Sequence, residues 1–268
     1  MHIEKVGVSY EGRPIKCLRL SMVEKTNELN YPAFLMTGTV HGREVLSLST
    51  HIYLIARVIY SAIKNETDTI RLLANTNLYF IPIVNIDALA YISKTFKETG
   101  GIPLARKNRH IYDSKNCSSM ADVGVDLSRN FGFKYGEAGS STDPCNEEFR
   151  GSEAFSEPES QTIKRFVESH SNIKASVDYH TYGNVYILPS PIKVNKMEGT
   201  IYEEFYKESG VREEFKYGSV KDLLSYEVSG DVSDWMYGEK GIPALTIEVG
   251  SENSFTPTNL SKAIKDIR

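Results

Sequence analysis

Apolar runs of strand length, IKCLRLS, AFLMTGTV, LYFIPIVN, ASVDYH, VYILP and ALTIEV, recur along this 268-residue chain with helical patterns between them. This alternation constrains the fold more than any other feature. Strands so rich in β-branched and aromatic residues need cover on both faces, and the intervening helices can supply it. The expectation is an α/β fold in one domain spanning residues 1–268, with a mixed, mostly parallel, twisted sheet and helices on both faces. The turn YEGRP separates two strand-like runs and predicts an N-terminal β-hairpin. In REVLSLSTHIYLIARVIYSAI, Val45, Leu48, Ile52, Ile55 and Ile59 recur at helical spacing, while Ser156 and Glu159 predict a capping box opening a helix in EPESQTIKRFVESH.

From Gly100 to Gly151 the periodicity fades into Gly, Ser, Asn and Arg, and the segment reads as long loops. Loops longer than about 12–15 residues within a compact domain are usually functional. Composition excludes more than it assigns. A net charge of −4 gives no electrostatic footprint for nucleic acid, and no uninterrupted apolar window approaches a membrane span, so neither partner is expected. The start MHIEKVGVSYEGRP carries charges where a signal peptide would place its apolar core, so the chain reads as mature, trimmed or intracellular. Of three cysteines, Cys117 and Cys145 flank one loop-like segment and Cys17 lies in a strand-like run; one disulfide is compatible with this and not demanded by it.

Ligands of α/β sheets sit beyond the carboxyl ends of the strands. AFLMTGTV runs into His41, and Glu44 follows in the predicted first turn of a helix, so a short bend can bring an imidazole and a carboxylate onto one ion. A catalytic zinc takes three protein ligands and keeps one position open, and two His with one Glu is a recognised set. The best third ligand is His180, because ASVDYH is another strand ending in histidine. Alone, either signal is weak: helix starts often carry His and Glu without a metal. In ALTIEVG, Glu248 lies within an apolar strand, which suits a salt-bridged core residue or a base with a tuned pKa. Hydrolysis at zinc needs such a base to accept the proton of the attacking water. In the long loops, LARKNRH and VDLSRNFG present Arg106 and Arg129, whose guanidinium groups suit a carboxylate or a developing oxyanion. His2, His51, His110 and His170 have no supporting neighbours and read as structural, as does Trp235.

Taken in order, GVSYEGRPI, HGRE, ARKNR, VGVDLSRNFG, SSTDPC, FRGSEAFSEPE, YHTYGNVYILP, YEVSGDVSDW and TIEVG span most of the chain, and the series resembles the zinc carboxypeptidases of the carboxypeptidase A/B (funnelin) type. The resemblance implies that His41, Glu44 and His180 hold one zinc ion and that Glu248 is the general base. It further implies that Arg106 polarises the scissile carbonyl, that Arg129 grips the substrate's terminal carboxylate, and that Tyr226 closes over bound substrate. Asp126 falls where the family has a carboxylate holding a zinc-ligating histidine, and Cys117 and Cys145 fall where it has a disulfide, which would indicate an extracellular or other oxidising compartment. Ser128 stands where the family usually has asparagine beside the carboxylate-binding arginine, so one donor to the substrate terminus is expected to be weaker or lost.

The family's side-chain pocket maps to Ser225, Asp231, Ser233 and Thr246, with Tyr182 a rim contact; the polar lining and its acid point to a cationic C-terminal residue, unless Asp231 is spent on a loop hydrogen bond or neutralised by Lys221. The implied substrate is the C-terminus of a peptide or protein, acted on by a monomer. Two alternatives are a peptidoglycan peptidase or amidase on the same scaffold, for which Ser128 leaves room, and an inactive peptide-binding module, which would be expected to lack a ligand or the base. At its end the chain carries Leu260, Ala263, Ile264 and Ile267 as a short apolar helical face, briefer than the family's closing helix.

Overall fold

The computed structural model describes residues 1–112, 117–190, 200–209 and 215–251. The expected closing helix through Leu260 and Ile267 lies outside the described residues. Alternating side chains in PIKCLRL and its partner fold the start of the chain into the predicted hairpin, β1 (His2–Val8) and β2 (Pro14–Leu20), paired antiparallel. Next come β3 (Ala33–Gly38), α1 (Val45–Ile63), α2 (Thr67–Asn75), β4 (Asn77–Ile81) and α3 (Ile86–Thr99). The stretch read as long loops contains, among its described residues, two single-turn 3₁₀ helices, Met120–Asp122 and Leu127–Arg129. After it follow α4 (Pro158–Ser169), β5 (Ile173–His180), β6 (Val185–Ile187), α5 (Ile201–Glu208), β7 (Lys216–Gly218), α6 (Val220–Leu224), α7 (Val232–Gly238) and β8 (Ala244–Glu248).

The strands form one mixed sheet in the order β1-β2-β4-β3-β5-β8-β6-β7. Its centre, β4-β3-β5-β8, is parallel, and antiparallel pairs join β2 to β4 and β6 to β8. The two-residue period of the strands divides the core between two faces. Leu35, Tyr79 and Ile81 turn to the face covered by Ile163 and Phe166 of α4 and by Val232 and Trp235 of α7. Met36, Leu78 and Phe80 turn to the other, against Leu54, Ile55 and Val58 of α1 and Leu73 of α2. At the carboxyl ends of the central strands the first face turns polar. Thr37, Asp178 and Thr246 are successive partners across β3, β5 and β8, and His180 pairs with Glu248 one step beyond.

Two local expectations give way. Ser156 and Glu159 form no capping box: α4 begins at Pro158, with Glu157 as the residue before its first turn. Proline suits the first helical position because its missing N–H would be unpaired there, and this sets the start of the helix. Glu159 then points inward, accepting from Tyr10 N at 2.9 Å and Asn108 Nδ2 at 3.1 Å. On α1 the buried residues of the first turns are Leu46, Ser47, Thr50 and His51; Ile55 and Ile59 pack on the core as their spacing suggests, but Ile52 is 59% exposed. His51 is buried against Tyr179 and Phe80 with Nδ1 2.9 Å from Ser47 O, a packed histidine. Taken as a whole, α1 has the length and, over its most apolar window, the mean hydropathy (1.3) of a membrane span.

Candidate active site

Beyond β3 the chain makes a bend that sequence spacing alone does not fix. Thr39 N donates to Ser47 Oγ at 2.9 Å, and Glu44 N donates to His41 O at 3.1 Å. Gly42 is needed because a Cβ there would lie 2.4 Å from Ala88 Cβ. Asn85, just before α3, straps the bend from outside, donating from Nδ2 to Val40 O (3.0 Å) and to Arg106 O (3.2 Å). Glu44 is therefore the residue preceding α1 rather than a member of its first turn. Because β3 and β5 are parallel neighbours, the bend carrying His41 and Glu44 and the strand tip carrying His180 open on the same edge.

There the three side chains converge. His41 Nδ1 lies 2.7 Å from Glu44 Oε1, His180 Nδ1 lies 3.0 Å from Glu44 Oε2, and the two Nδ1 atoms are 3.1 Å apart. The outer nitrogens face carboxylates: His180 Nε2 is 2.8 Å from Asp178 Oδ2, and His41 Nε2 is 3.1 Å from Asp126 Oδ1. With each outer N–H given to a carboxylate, both Nδ1 lone pairs aim at one point with the carboxylate of Glu44, an arrangement that calls for a cation. The electrostatics agree. Burial opposes ionisation of Glu44, but His41 and His180 outweigh it and hold its pKa low. Burial likewise opposes a charged His180, yet Asp178 and Glu44 hold its pKa well above the ordinary value. Positive charge is favoured between the rings, and a His₂Glu donor set with each histidine backed by a carboxylate fits zinc.

Arg106 crosses this cluster. Its Nε and Nη2 hold Asp126 Oδ2 at 3.0 and 2.9 Å, and Nη1 reaches to 3.2 Å from His41 Nδ1. Burial opposes ionisation of Asp126, but Arg106 and Arg129 outweigh it and keep its carboxyl well below the usual range. Glu248, at the tip of β8, has an Oε2 atom that is buried and without a hydrogen-bond partner among the described residues. Burial first, and then the charge of Glu44, push its pKa up to about 8. Arg129 is fixed from behind by Nε donating to Gly139 O (2.6 Å) and Nη1 to Ser128 O (3.1 Å). Gly230, at φ +80°, lets the loop before α7 lie on this arginine, since a Cβ would come 2.5 Å from Arg129 O.

His41, Arg106, Arg129, His180, Tyr226 and Glu248 line one cleft, whose inner wall includes Ser128, Asp231, Ser233 and Thr246. Glu44 and Asp126 stand behind this lining. Tyr182 and Ser225 are exposed and outside it. Asp231 caps α7, its Oδ1 accepting from Ser233 N (2.8 Å) and Asp234 N (3.2 Å), and Ser233 Oγ meets Thr246 Oγ1 at 2.8 Å. Lys221 does not neutralise it, being paired with Glu227 at 2.6 Å. Burial, with the charge of Asp234 second, lifts Asp231 to about 7.

Residues 1–267 match the zinc carboxypeptidase family. The chain belongs to that family. It is 30% identical over 254 residues to carboxypeptidase A1 of Rattus norvegicus, covering 91% of this chain and 56% of that protein. To carboxypeptidase B of Astacus astacus it is 29% identical over 264 residues, covering 94% of this chain and 80% of that one. The structure of bovine thrombin-activatable fibrinolysis inhibitor, solved in complex with a tick carboxypeptidase inhibitor, superimposes with a TM-score of 0.75 at 25% identity, over 99% of this chain and 84% of that chain. The chain thus spans little more than half the length of the carboxypeptidase A1 it matches. Membership gives zinc as the metal, and His41, Glu44 and His180 are the buried group able to hold it. Cys117 and Cys145 are joined by a disulfide. The residues missed in the sequence are Asp178 and Asn85. For Asp178 a signal existed, because a side chain two positions before a strand-tip histidine shares its face.

Proposed function

We propose that this protein is a zinc metallocarboxypeptidase that hydrolyses the last peptide bond of peptides and prefers a cationic C-terminal residue. The observation that carries the reading is the meeting, in one cleft, of the metal-ligating cluster with Glu248, whose Oε2 is buried and unpartnered among the described residues, and two arginines. Zinc bound by His41, Glu44 and His180 would supply Lewis acidity, polarising a carbonyl and lowering the pKa of water. Glu248 accepts the proton of the attacking water at its free Oε2 and returns it to the departing amine. Arg106, held by Asp126, offers Nη1 to the oxygen on which negative charge develops. Arg129, anchored on Gly139 and Ser128, receives the terminal carboxylate and so sets which bond is presented.

The side-chain preference rests on Asp231 and Asp234, two acids on the cleft wall. A cation placed against this wall would favour the ionised form of both, whereas an apolar guest would leave two buried acids, their pKa values raised chiefly by burial, without a counter-charge. The Cys117–Cys145 bond supports an oxidising compartment as the site of action. The test is release of the last residue from peptides ending in Lys, Phe or Glu, before and after chelation and zinc restoration. The expected order puts Lys first, with all release lost to the chelator. Release insensitive to chelation would overturn the activity, and Phe released fastest, with the order unchanged in Asp231→Ala, would overturn the preference.

A further inference from the structure

The Ser128 hydroxyl occupies an unusual junction. Its Oγ lies 2.9 Å from His41 Nε2, 2.9 Å from Asp126 Oδ1 and 3.0 Å from Arg129 Nη1, with Arg106 Nη2 farther off at 3.5 Å. A serine hydroxyl has one donor and two acceptor sites. Asp126 can only accept and Arg129 can only donate, so the O–H goes to Asp126, one lone pair takes the Arg129 N–H, and the other shares the N–H of His41 with Asp126 Oδ1. All of its hydrogen-bonding capacity is used, and His41 sits nearer the hydroxyl than the carboxylate, 2.9 against 3.1 Å. Ser128 N also donates to Asp126 Oδ1 at 3.0 Å, which pins the rotor from its own backbone. The residue is buried at 3% exposure.

We propose that Ser128 is a positioning residue that joins Arg129, through one hydroxyl, to the metal ligand His41, so that the arginine receiving the substrate carboxylate also orients the zinc-binding imidazole. The proposal rests on the reading of Arg129 and His41 given above. It has a consequence that neither residue has alone. Among the described residues the hydrogen bonds of the Arg129 side chain go to Gly139 and Ser128 and not to a zinc ligand, yet its N–H fixes the lone pair left for His41 and strengthens the O–H donated to Asp126, because bonds in a chain polarise one another. Removing Arg129 should therefore loosen the hold on zinc from a distance, and only while Ser128 is present.

The test is the zinc dissociation constant of the full chain, by competition with a chromophoric chelator, for wild type, Ser128→Ala, Ser128→Thr, Arg129→Met and the Ser128→Ala/Arg129→Met double variant. Outer-sphere partners of a metal-binding histidine typically contribute ~10–100-fold in affinity. The expected result is about tenfold or greater weakening in Ser128→Ala, retention in Ser128→Thr, at least about threefold weakening in Arg129→Met, and no further loss in the double variant. An Arg129→Met value below that threshold, or single effects that multiply in the double variant, would overturn the proposal. Should Ser128→Ala not fold, Arg129→Met and Ser128→Thr still decide it. These titrations read the junction whether or not peptide is cleaved; a wild-type chain that binds zinc and releases no C-terminal residue would instead sink the proposed function.

Discussion

Glu248 and Asp178 show how much one side chain contributes at this edge of the sheet. Glu248 is half-buried, its Oε2 atom is buried without a hydrogen-bond partner among the described residues, and burial with the charge of Glu44 raises its pKa to about 8. Glu248→Gln should lower kcat by ~10²–10⁴ with zinc content unchanged; turnover measured beside elemental analysis checks both halves. Asp178 holds His180 Nε2 at 2.8 Å and is itself fixed by Thr37 Oγ1 at 2.6 Å. Asp178→Asn should weaken zinc binding ~10–100-fold, read by chelator competition. His41, His180 and Glu248 drew attention in the sequence because strand tips in α/β folds are where ligands sit, and Glu44 through its spacing from His41. What decided between metal and coincidence was the contact of His41 with His180, which spacing cannot supply. Ser128 was legible only as a missing donor. Its hydrogen bonds depend on which way a buried hydroxyl rotates, and that is set by Asp126 and Arg129.

At the scale of elements, the β1–β2 hairpin is locked to α4 through a buried acid. Glu159 is 0% exposed and accepts from Tyr10 N in the hairpin turn and from Asn108. Burial raises its pKa from an ordinary 4.5 to about 7. The folded chain therefore binds this proton more tightly than the unfolded one, so the stabilisation is complete below the unfolded value and is lost as pH rises through about 7. The shift corresponds to on the order of 3 kcal/mol. Unfolding by urea at pH 5 and pH 8 should show Glu159→Gln gaining ~1–3 kcal/mol relative to wild type over that interval; a constant difference would place the titration elsewhere. The elements themselves were legible where period and punctuation agreed, as in the hairpin and the strands running into His180 and Glu248. On helix α1 the apolar spacing finds Ile55 and Ile59 but not the first turns, where the sheet is met by small and polar residues, Ser47, Thr50 and His51, which an apolar stripe cannot reveal.

For the whole molecule, the order β4-β3-β5-β8 was not legible, because parallel pairing joins segments far apart in sequence, as Ala33 with Ile173, and leaves no local mark. The long stretch from Gly100 to Gly151 was legible as functional loop, and its closure is now explicable. The Cys117–Cys145 bond closes it, Lys107 Nζ donates to Pro144 O and Asn146 O on either side of Cys145, and Arg43, between two metal ligands, pairs with Glu147 at 2.8 Å. Replacing both cysteines by serine should lower stability by ~2–4 kcal/mol, checked by urea unfolding with and without reductant. His180 and Glu248 face each other as partners across the β5–β8 ladder. Their spacing is thus inherited from peptide geometry rather than negotiated by side chains, and a single-residue insertion within β8 would send the carboxylate to the opposite surface. Chemistry of this kind has no graded failure: the strand docks in its one workable alignment or the acid and the imidazole never meet.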